Sequence, residues 1–277
     1  MPQNLMKILS WNCRGLSRAS IVRHLRLLIR DNSPDVLFLS ETKSPPPQVT
    51  SILNRLGFFF MTQFAPTGSS GRLILTWRPR VELECFISNK HNNSTWSYLD
   101  PPNSPWILSC IYGPLDKRDK LAFWDSFTSI DEGFVSPWLC IGDLNSVLDQ
   151  FEKLGGRPVA SSSLYPFKHF IDHFGLVDLG FVGSPFTWCN NRQGAASIKD
   201  RLDRGLSSLN WIHLHPEFSL KHILASSSDH HPISLNTAFF SSFLPRPFRF
   251  EEFWTKDPFC GSVIEVAWFK PALGSPA

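Results

Sequence analysis

An acid and two imidazoles, Asp229, His230 and His231, stand side by side between two apolar segments, residues 218–224 and 233–235. Ionisable groups are costly to place between buried strands unless they are paired with one another or bound to a metal ion. A rigidly held acid–imidazole pair can move a proton or stabilise negative charge on a substrate. Asp229 and His230 are therefore candidate catalytic residues. Adjacent strand residues point to opposite faces, so His231 is given no role.

Other apolar runs also end in side chains that bind metals, hold phosphates or move protons. They are Asn12, Glu41, Tyr112, Asp143 with Asn145, and Asp203. Each of these residues alone has a plainer explanation, such as a turn, a solvated strand end or a surface ion pair. In a layered α/β fold, however, strand ends share one edge of the sheets, where ligand sites lie. Their occurrence together favours a common site.

The acids of this predicted edge, Glu41, Asp143, Asp203 and Asp229, would repel one another and raise one another's pKa. A divalent cation relieves that repulsion. Oxygen ligands without thiolates favour Mg²⁺, with Mn²⁺ as an alternative, over Zn²⁺. A hard metal ion beside an acid–imidazole pair suits the cleavage of a phosphodiester bond.

Apolar periodicity predicts the elements that must position these residues. It predicts helices at residues 21–29, 49–56, 117–127 and 163–174. It predicts strands at residues 7–11, 35–39, 58–64, 72–77, 81–88, 96–99, 106–112, 138–141, 186–189, 199–206, 218–224 and 233–235. Mixed strands and helices of this kind indicate an α/β fold with two sheets packed face to face and helices outside. Near residue 243 the regular apolar runs give way to scattered aromatic residues and a Pro/Gly/Ser-containing end. This change predicts one domain at residues 1–238 and a linker-like tail at 239–277.

Composition narrows the class of protein. The chain has 277 residues, 42% of them hydrophobic, which is enough for a large core, and a net charge of only +3. Its six cysteines form no Cys-x-x-Cys pair, so we expect a reduced, intracellular protein. We find no convincing signal peptide and no apolar run of membrane-spanning length, and so expect no association with a membrane.

The motifs in order, "WNCRGL … FLSETK … IYGP … IGDLN … FTWCN … RLDR … SSSDHHP", resemble the endonuclease/exonuclease/phosphatase superfamily. The similarity is greatest to the apurinic/apyrimidinic-type endonuclease domains of plant non-LTR (LINE-type) retrotransposons. It spans residues 6 to about 235 and extends to segments outside catalysis, "EKLGGRP", "GLVDLGFVGSPFTW" and "RPFRFEEFW". One motif would be weak support, whereas seven in register are strong.

The resemblance implies a four-layer α/β sandwich, two packed mixed β-sheets flanked by helices, with the site at one edge. It implies that Glu41 is the principal Mg²⁺ ligand, with Asn12 and Asp229 nearby. Asp143 would orient or deprotonate the attacking water, and Asn145 would help to fix it. Tyr112 would contact the phosphate. His230 would be the catalytic histidine, oriented by Asp203.

The resemblance further implies a monomeric, nuclear enzyme that nicks DNA, leaves a 3′ hydroxyl and needs no small-molecule cofactor. A reverse-transcriptase domain would extend that end in full elements, and we expect none within a chain ending at Ala277. Thr187 is predicted to help position the phosphate backbone. Basic residues in or beside the motif loops are predicted to bind phosphates: Arg14, Lys43, Arg72, Lys153, Arg157, Arg192, Lys199, Arg201 and Arg204.

Two other functions stay open from the sequence. The core motifs are also compatible with a phosphatase or phosphodiesterase of the same superfamily acting on lipid or small phosphates, although "EKLGGRP" and "FTWCN" argue against it. The other alternative is an inactive remnant that only binds nucleic acid. The presence of Glu41, Asp143, Asp203, Asp229 and His230 argues against decay.

Overall fold

The computed structural model describes residues 6–64, 73–128, 136–225 and 227–238, together with positions 261 and 265. The chain divides into two compact units, Met1–Phe239 and Phe240–Ala277. Only two positions of the second unit are described, so the linker-like tail at 239–277 and the boundary at 238 stay predictions. Among the described residues, no helix is long and apolar enough to cross a membrane.

The described elements alternate between strands and helices. The strands are β1 (Lys7–Asn12), β2 (Val36–Ser40), β3 (Phe60–Phe64), β4 (Leu73–Trp77), β5 (Leu83–Ser88), β6 (Asn92–Leu99), β7 (Pro102–Tyr112), β8 (Trp138–Asp143), β9 (Lys153–Leu154), β10 (Val177–Asp178), β11 (Trp188–Cys189), β12 (Lys199–Asp200), β13 (Asp203–Ser207), β14 (Ser219–His222) and β15 (Ile233–Asn236). The helices are α1 (Ala19–Asn32), α2 (Pro46–Arg55), α3 (Lys117–Thr128), α4 (Ser161–His173) and α5 (Leu209–Leu214), with 3-10 turns at Gln150–Glu152 and Gly194–Ala196.

Most of these strands form two six-stranded sheets. Sheet A has the order β14-β15-β1-β2-β4-β3, and sheet B has the order β10-β13-β8-β7-β6-β5. The central pairs β1–β2 and β7–β8 are parallel, whereas their neighbours pair antiparallel, so both sheets are mixed. The short strands β11, β12 and β9 form a third, small sheet.

Three apolar clusters lie at the three interfaces between the layers. The first fills the space between the two sheets and includes Ile8 from sheet A and Ile141 from sheet B. The second joins sheet A to α1 and α2, for example through Leu9 and Leu25. The third joins sheet B to α3 and α4 around the aromatic side chain of Trp124. The order helix, sheet, sheet, helix confirms the predicted four-layer α/β sandwich.

Strand alternation directs polar side chains into the space between the sheets. Ile8 belongs to the cluster between the sheets and Leu9 to the helix side, so Asn12 lies on the same face as Ile8. In the same way, Asp143 follows Ile141 by two residues and points toward sheet A. Each of the two polar residues is the last residue of its strand, where the apolar filling ends.

Besides the two-residue strands β9 and β10, which were not predicted, the structure differs from the predicted elements in two places. Residues 199–206 are not one strand, because β12 belongs to the small sheet and β13 to sheet B. The chain changes sheet at Arg201, whose backbone N–H donates to Glu152 O. The helix α5 was not predicted; Ser208 caps it by accepting from the backbone N–H of Trp211. Its six residues are too short to show a clear period.

Candidate active site

The ends of five strands meet at one edge of the two sheets. In sheet B, Tyr112 and Asp143 are register partners at the ends of the parallel strands β7 and β8. The antiparallel strand β13 begins at Asp203, which lies opposite Asp143. In sheet A, the parallel strands β1 and β2 end at Asn12 and one residue before Glu41. Strand polarity alone therefore brings these five side chains to a common edge.

Hydrogen bonds join these side chains across the two sheets. Asn12 Nδ2 donates to both Glu41 Oε1 and Asp143 Oδ2, at 3.0 Å each. His230 Nδ1 lies 3.0 Å from Asp203 Oδ2 and 3.7 Å from Asp143 Oδ2. All five residues are buried. Glu41 and His230 thus belong to one connected site, as the sequence predicts.

The charges of this site keep a proton on the imidazole. Burial alone would lower the pKa of His230, but the negative charges of Asp143 and Asp203 outweigh burial and raise it to about 9. Burial raises the pKa of Asp143 above its usual range, although the charge of His230 opposes this shift. At neutral pH, His230 Nδ1–H donates to Asp203, and Nε2–H is a second donor on the other side of the ring.

The acid at the opposite end of the site stays ionised. Burial alone would raise the pKa of Glu41, but hydrogen bonds from Lys43 and Asn12 and the charge of Arg14 lower it to about 2. Lys43 Nζ lies 2.7 Å from Glu41 Oε2. The Tyr112 hydroxyl donates to Glu41 Oε1 over 3.0 Å. Burial raises the pKa of Tyr112 well above its usual range, so its phenol keeps its proton.

Glu41 and Asp229 share a cationic neighbour. Arg14 Nη1 lies 3.0 Å from Asp229 Oδ2, and Arg14 Nε lies 3.7 Å from Glu41 Oε1. Both acids are partly shielded from solvent, with side chains 8% and 14% exposed. Positive charge is therefore favourable between them, at the place where the sequence predicts a metal ion.

The donor atoms around Glu41 fit a hard divalent cation. Asn12 Oδ1 is buried and accepts no hydrogen bond within the part of the chain that the structure describes. Next to it lies the ionised carboxylate of Glu41, and oxygen donors of this kind suit Mg²⁺ or Mn²⁺. Asp143, Asp203 and His230 form a second group whose ligand atoms lie within 4.8 Å of one another. In that group, His230 Nδ1 is already bonded to Asp203, so Glu41 with Asn12 is the better metal site.

Comparison with known proteins places the chain in a family. Residues 9–264 match the model of the Endonuclease/Exonuclease/phosphatase family. The chain belongs to this family. Its members are hydrolases that act on phosphodiester bonds. No curated protein matches the sequence.

Solved structures share the fold of this endonuclease/exonuclease/phosphatase domain. The AP endonuclease LMAP of Leishmania major superposes with a TM-score of 0.65 and 16% identity, covering 86% of this chain and 89% of that one. The 3′-5′ exonuclease NExo of Neisseria meningitidis gives 0.65 and 17%, covering 84% and 100%. The endonuclease domain of TRAS1, a telomere-specific non-LTR retrotransposon, gives 0.64 and 13%, covering 85% and 100%.

Side chains that the sequence prediction missed hold the segment that carries Asp229 and His230. Trp11 Nε1 donates to His230 O over 3.1 Å, and Trp188 Nε1 donates to Asp229 Oδ2 over 3.0 Å. The backbone N–H of Cys189 also donates to Asp229 O. Both tryptophans lie inside predicted motifs, "WNCRGL" and "FTWCN", and that location was the available signal.

The predicted residue Asn145 orients Asp143. Its backbone N–H donates to Asp143 Oδ1 over 3.1 Å, while its side-chain amide donates to Gly113 O over 2.8 Å. Asn145 has φ 49°, a left-handed conformation that asparagine tolerates better than most residues. Lys120, from α3, donates to Asn145 O. No motif contains Lys120, so sequence patterns offered no signal for it.

Thr187 has a different role from the predicted one. It is fully buried, and its Oγ1 accepts from the backbone N–H groups of Leu202 and Asp203, at 3.0 and 2.9 Å. A hydroxyl in this position cannot reach a DNA backbone. Thr187 instead fixes the turn at which Asp203 enters β13.

The described phosphate-binding candidates fall into four groups. Arg201 and Arg204 are buried in ion pairs with acids of the fold, so the prediction that they contact DNA is corrected. Lys153 is only 15% exposed and pairs with Asp200 at 3.0 Å, which balances its charge. Arg14 and Lys43 lie at the acidic centre. The exposed remainder consists of Arg157, Arg192 and Lys199, and Arg72 lies outside the described residues.

Proposed function

We propose that this domain is a divalent-metal-dependent endonuclease of retrotransposon origin that nicks DNA and leaves a 3′ hydroxyl. The connected series from Glu41 through Asn12 and Asp143 to His230 and Asp203 carries this proposal. It combines an ionised oxygen ligand, a base and a protonated imidazole in one site. These three groups together are suited to the hydrolysis of a phosphodiester.

Glu41 and Asn12 are the residues that would hold the cation, which, when bound, neutralises charge on the phosphate oxygens. Mg²⁺ is the proposed ion and Mn²⁺ the alternative. The Tyr112 hydroxyl keeps its proton and lies against Glu41. It therefore donates to a phosphate oxygen that approaches this end of the site.

Asp143 and His230 divide the chemistry of the reaction between them. Asp143 accepts a proton from water, and its raised pKa makes it a stronger base than an ordinary carboxylate. The water oxygen bonds to phosphorus, and the bond from phosphorus to O3′ breaks, which leaves the 3′ hydroxyl after protonation by solvent. The His230 imidazolium donates from Nε2 to the phosphate as charge develops on its oxygens. Asp203 fixes the ring through Nδ1.

DNA is the proposed partner and the nucleus the proposed location. The structural likeness to an AP endonuclease and to a retrotransposon endonuclease domain supports DNA over a small phosphate. The exposed side chains of Arg157, Arg192 and Lys199 supply positive charge on or beside the small sheet, whose strand β11 contacts Asp229. Such charges bind phosphates with little dependence on sequence.

A plasmid assay tests the proposal. Supercoiled plasmid incubated with the protein and Mg²⁺ is expected to become open-circular, and the nicks are expected to prime a DNA polymerase because they end in a 3′ hydroxyl. A chelator, His230→Ala and Asp143→Ala should each abolish nicking. A soluble phosphate ester, incubated in parallel, should stay intact. Hydrolysis of the ester without nicking would instead establish a phosphatase.

A further inference from the structure

Side chains from three motifs, none of them given a role in the reaction, form one ion cluster. Glu152 comes from "EKLGGRP", Asp178 from "GLVDLGF", and Arg201 and Arg204 flank Asp203 in "RLDR". Arg201 pairs with Glu152 at 3.0 Å and with Asp178 at 2.7 Å. Arg204 pairs with the same two acids, at 2.6 and 3.0 Å. Each arginine thus bridges both acids, and the four formal charges cancel; we call these four residues the arginine–carboxylate cluster.

The two arginines of the cluster are buried, which excludes a role for them as surface charges. The Arg204 side chain is 0% exposed and that of Arg201 is 9% exposed. A buried guanidinium is costly unless carboxylates and hydrogen bonds surround it. Breaking such a pair leaves an uncompensated charge, so the local structure must adjust when one partner is changed.

Arg204 also bonds the two backbone segments that carry the acids of the active site. Its Nη2 donates to Ser146 O at 3.2 Å, in the loop that follows Asp143, and to Arg201 O at 3.0 Å, in the turn that precedes Asp203. A guanidinium is rigid and planar, so these two bonds fix the spacing of the loop and the turn.

We infer that the arginine–carboxylate cluster is a positioning device that sets Asp203, and through it His230, relative to Asp143. This inference rests on the contacts of one buried guanidinium, that of Arg204. It donates hydrogen bonds to the loop after Asp143 and to the turn before Asp203, and it forms ion pairs with two carboxylates. The loop and the turn also bond directly, because Leu144 N–H donates to Leu202 O at 2.9 Å. The cluster residues touch no reacting atom, so they are positioning residues.

The chain offers a matched control for purely structural effects. Asp35 is buried, and it pairs with an arginine, Arg80, as each acid of the cluster does. It precedes β2 and therefore lies at the opposite end of that strand from Glu41. Asp35→Asn should lower the melting temperature, as the cluster variants should, without moving Asp203.

Nuclear magnetic resonance of the full chain with ¹⁵N-labelled histidine tests this inference. The Nδ1–H proton of His230, assigned by its loss in His230→Ala, reports directly on the bond to Asp203. Glu152→Gln and Arg204→Lys should each shift or broaden this signal, and Asp35→Asn should leave it in place. If the signal is the same in wild type and both cluster variants, the inference is overturned. Asp178→Asn alters the more exposed acid and replaces Glu152→Gln should that variant not fold.

A second test of this inference measures the kinetics of plasmid nicking and therefore rests on the proposed function. Glu152→Gln should lower kcat for plasmid nicking about tenfold or more, as changes behind a catalytic group commonly do. The KM for DNA should stay within about twofold, because ground-state binding is untouched. Asp35→Asn should retain kcat, and an equal loss of kcat in Asp35→Asn would count against positioning. If the wild type does not nick, the proposed function fails, while the resonance of His230 still decides the role of the cluster.

Discussion

His230 Nδ1 lies 3.0 Å from Asp203 Oδ2, although 27 positions separate the two residues in the chain. The fold brings them together because β13 begins at Asp203 on the edge where the segment before β15 carries His230. Trp11 holds the His230 carbonyl and Thr187 holds the Asp203 N–H. The pair is therefore fixed from both sides before any substrate binds.

This fixed pair predicts different effects for the two neighbouring histidines. His230→Asn removes the protonated imidazole and should lower the rate of plasmid nicking by about 10² or more. His231→Asn is the matched control. The His231 ring accepts from Ala225 N–H at 3.1 Å instead of bonding to Asp203, so its replacement should retain most of the activity. Equal losses in the two variants would show that the imidazole of His230 has no special role.

The convergence of the candidate catalytic residues could be predicted from the sequence because it depends on strand polarity. Asn12 and Asp143 each follow an apolar strand, and period-two alternation determines the face on which each lies. The fold was predictable for the same reason. The helix predicted at residues 21–29 lies within α1, and its apolar residues Ile21 and Leu25 are buried.

The partners of long side chains could not be predicted in this way. In the sequence, Arg201 and Arg204 cannot be told from solvated surface arginines. Only the fold brings Glu152 and Asp178 to them. Thr187 likewise stands in a motif near the predicted active site, but its complete burial determines its role, and burial cannot be predicted from the motif. Such contacts join residues distant in sequence, and no periodicity encodes them.

The proposed metal ligand predicts a specific metal dependence. Glu41→Gln keeps the shape of the side chain but removes the negative charge that attracts a cation. The Mg²⁺ concentration for half-maximal nicking should rise about tenfold or more, since even residues behind a metal ligand contribute that much. Measuring the nicking rate against Mg²⁺ concentration checks this, with Glu82→Gln, an exposed acid, as control. An unchanged half-saturation in Glu41→Gln would move the metal site elsewhere, for example to the group of Asp143, Asp203 and His230.

The exposed basic residues predict a salt-dependent affinity for DNA. Replacing Arg157, Arg192 and Lys199 together by alanine should weaken binding to any duplex. The slope of log K against log salt should fall by up to about 3, because each phosphate contact contributes close to one. Fluorescence anisotropy across a salt series measures this slope. Arg26→Ala, an exposed residue of α1, should leave the slope unchanged. A wild-type affinity that does not respond to salt would contradict the proposed DNA surface.

The buried histidine His215 predicts how stability depends on pH. Its ring packs against Trp106 and Trp211, and burial lowers its pKa from 6.5 to about 4. Between these values the unfolded chain binds a proton that the native chain does not, so the free energy of unfolding falls as pH decreases. The loss begins near pH 6.5 and is complete near pH 4, amounting to about 3 kcal/mol at most. Urea unfolding at several pH values should show that the free energy of unfolding declines less steeply with falling pH in His215→Phe than in wild type.

The control is His213→Gln, at an exposed position of α5, which should match the wild type. If the His215→Phe curve runs parallel to that of the wild type, the imidazole of His215 titrates normally in the native state.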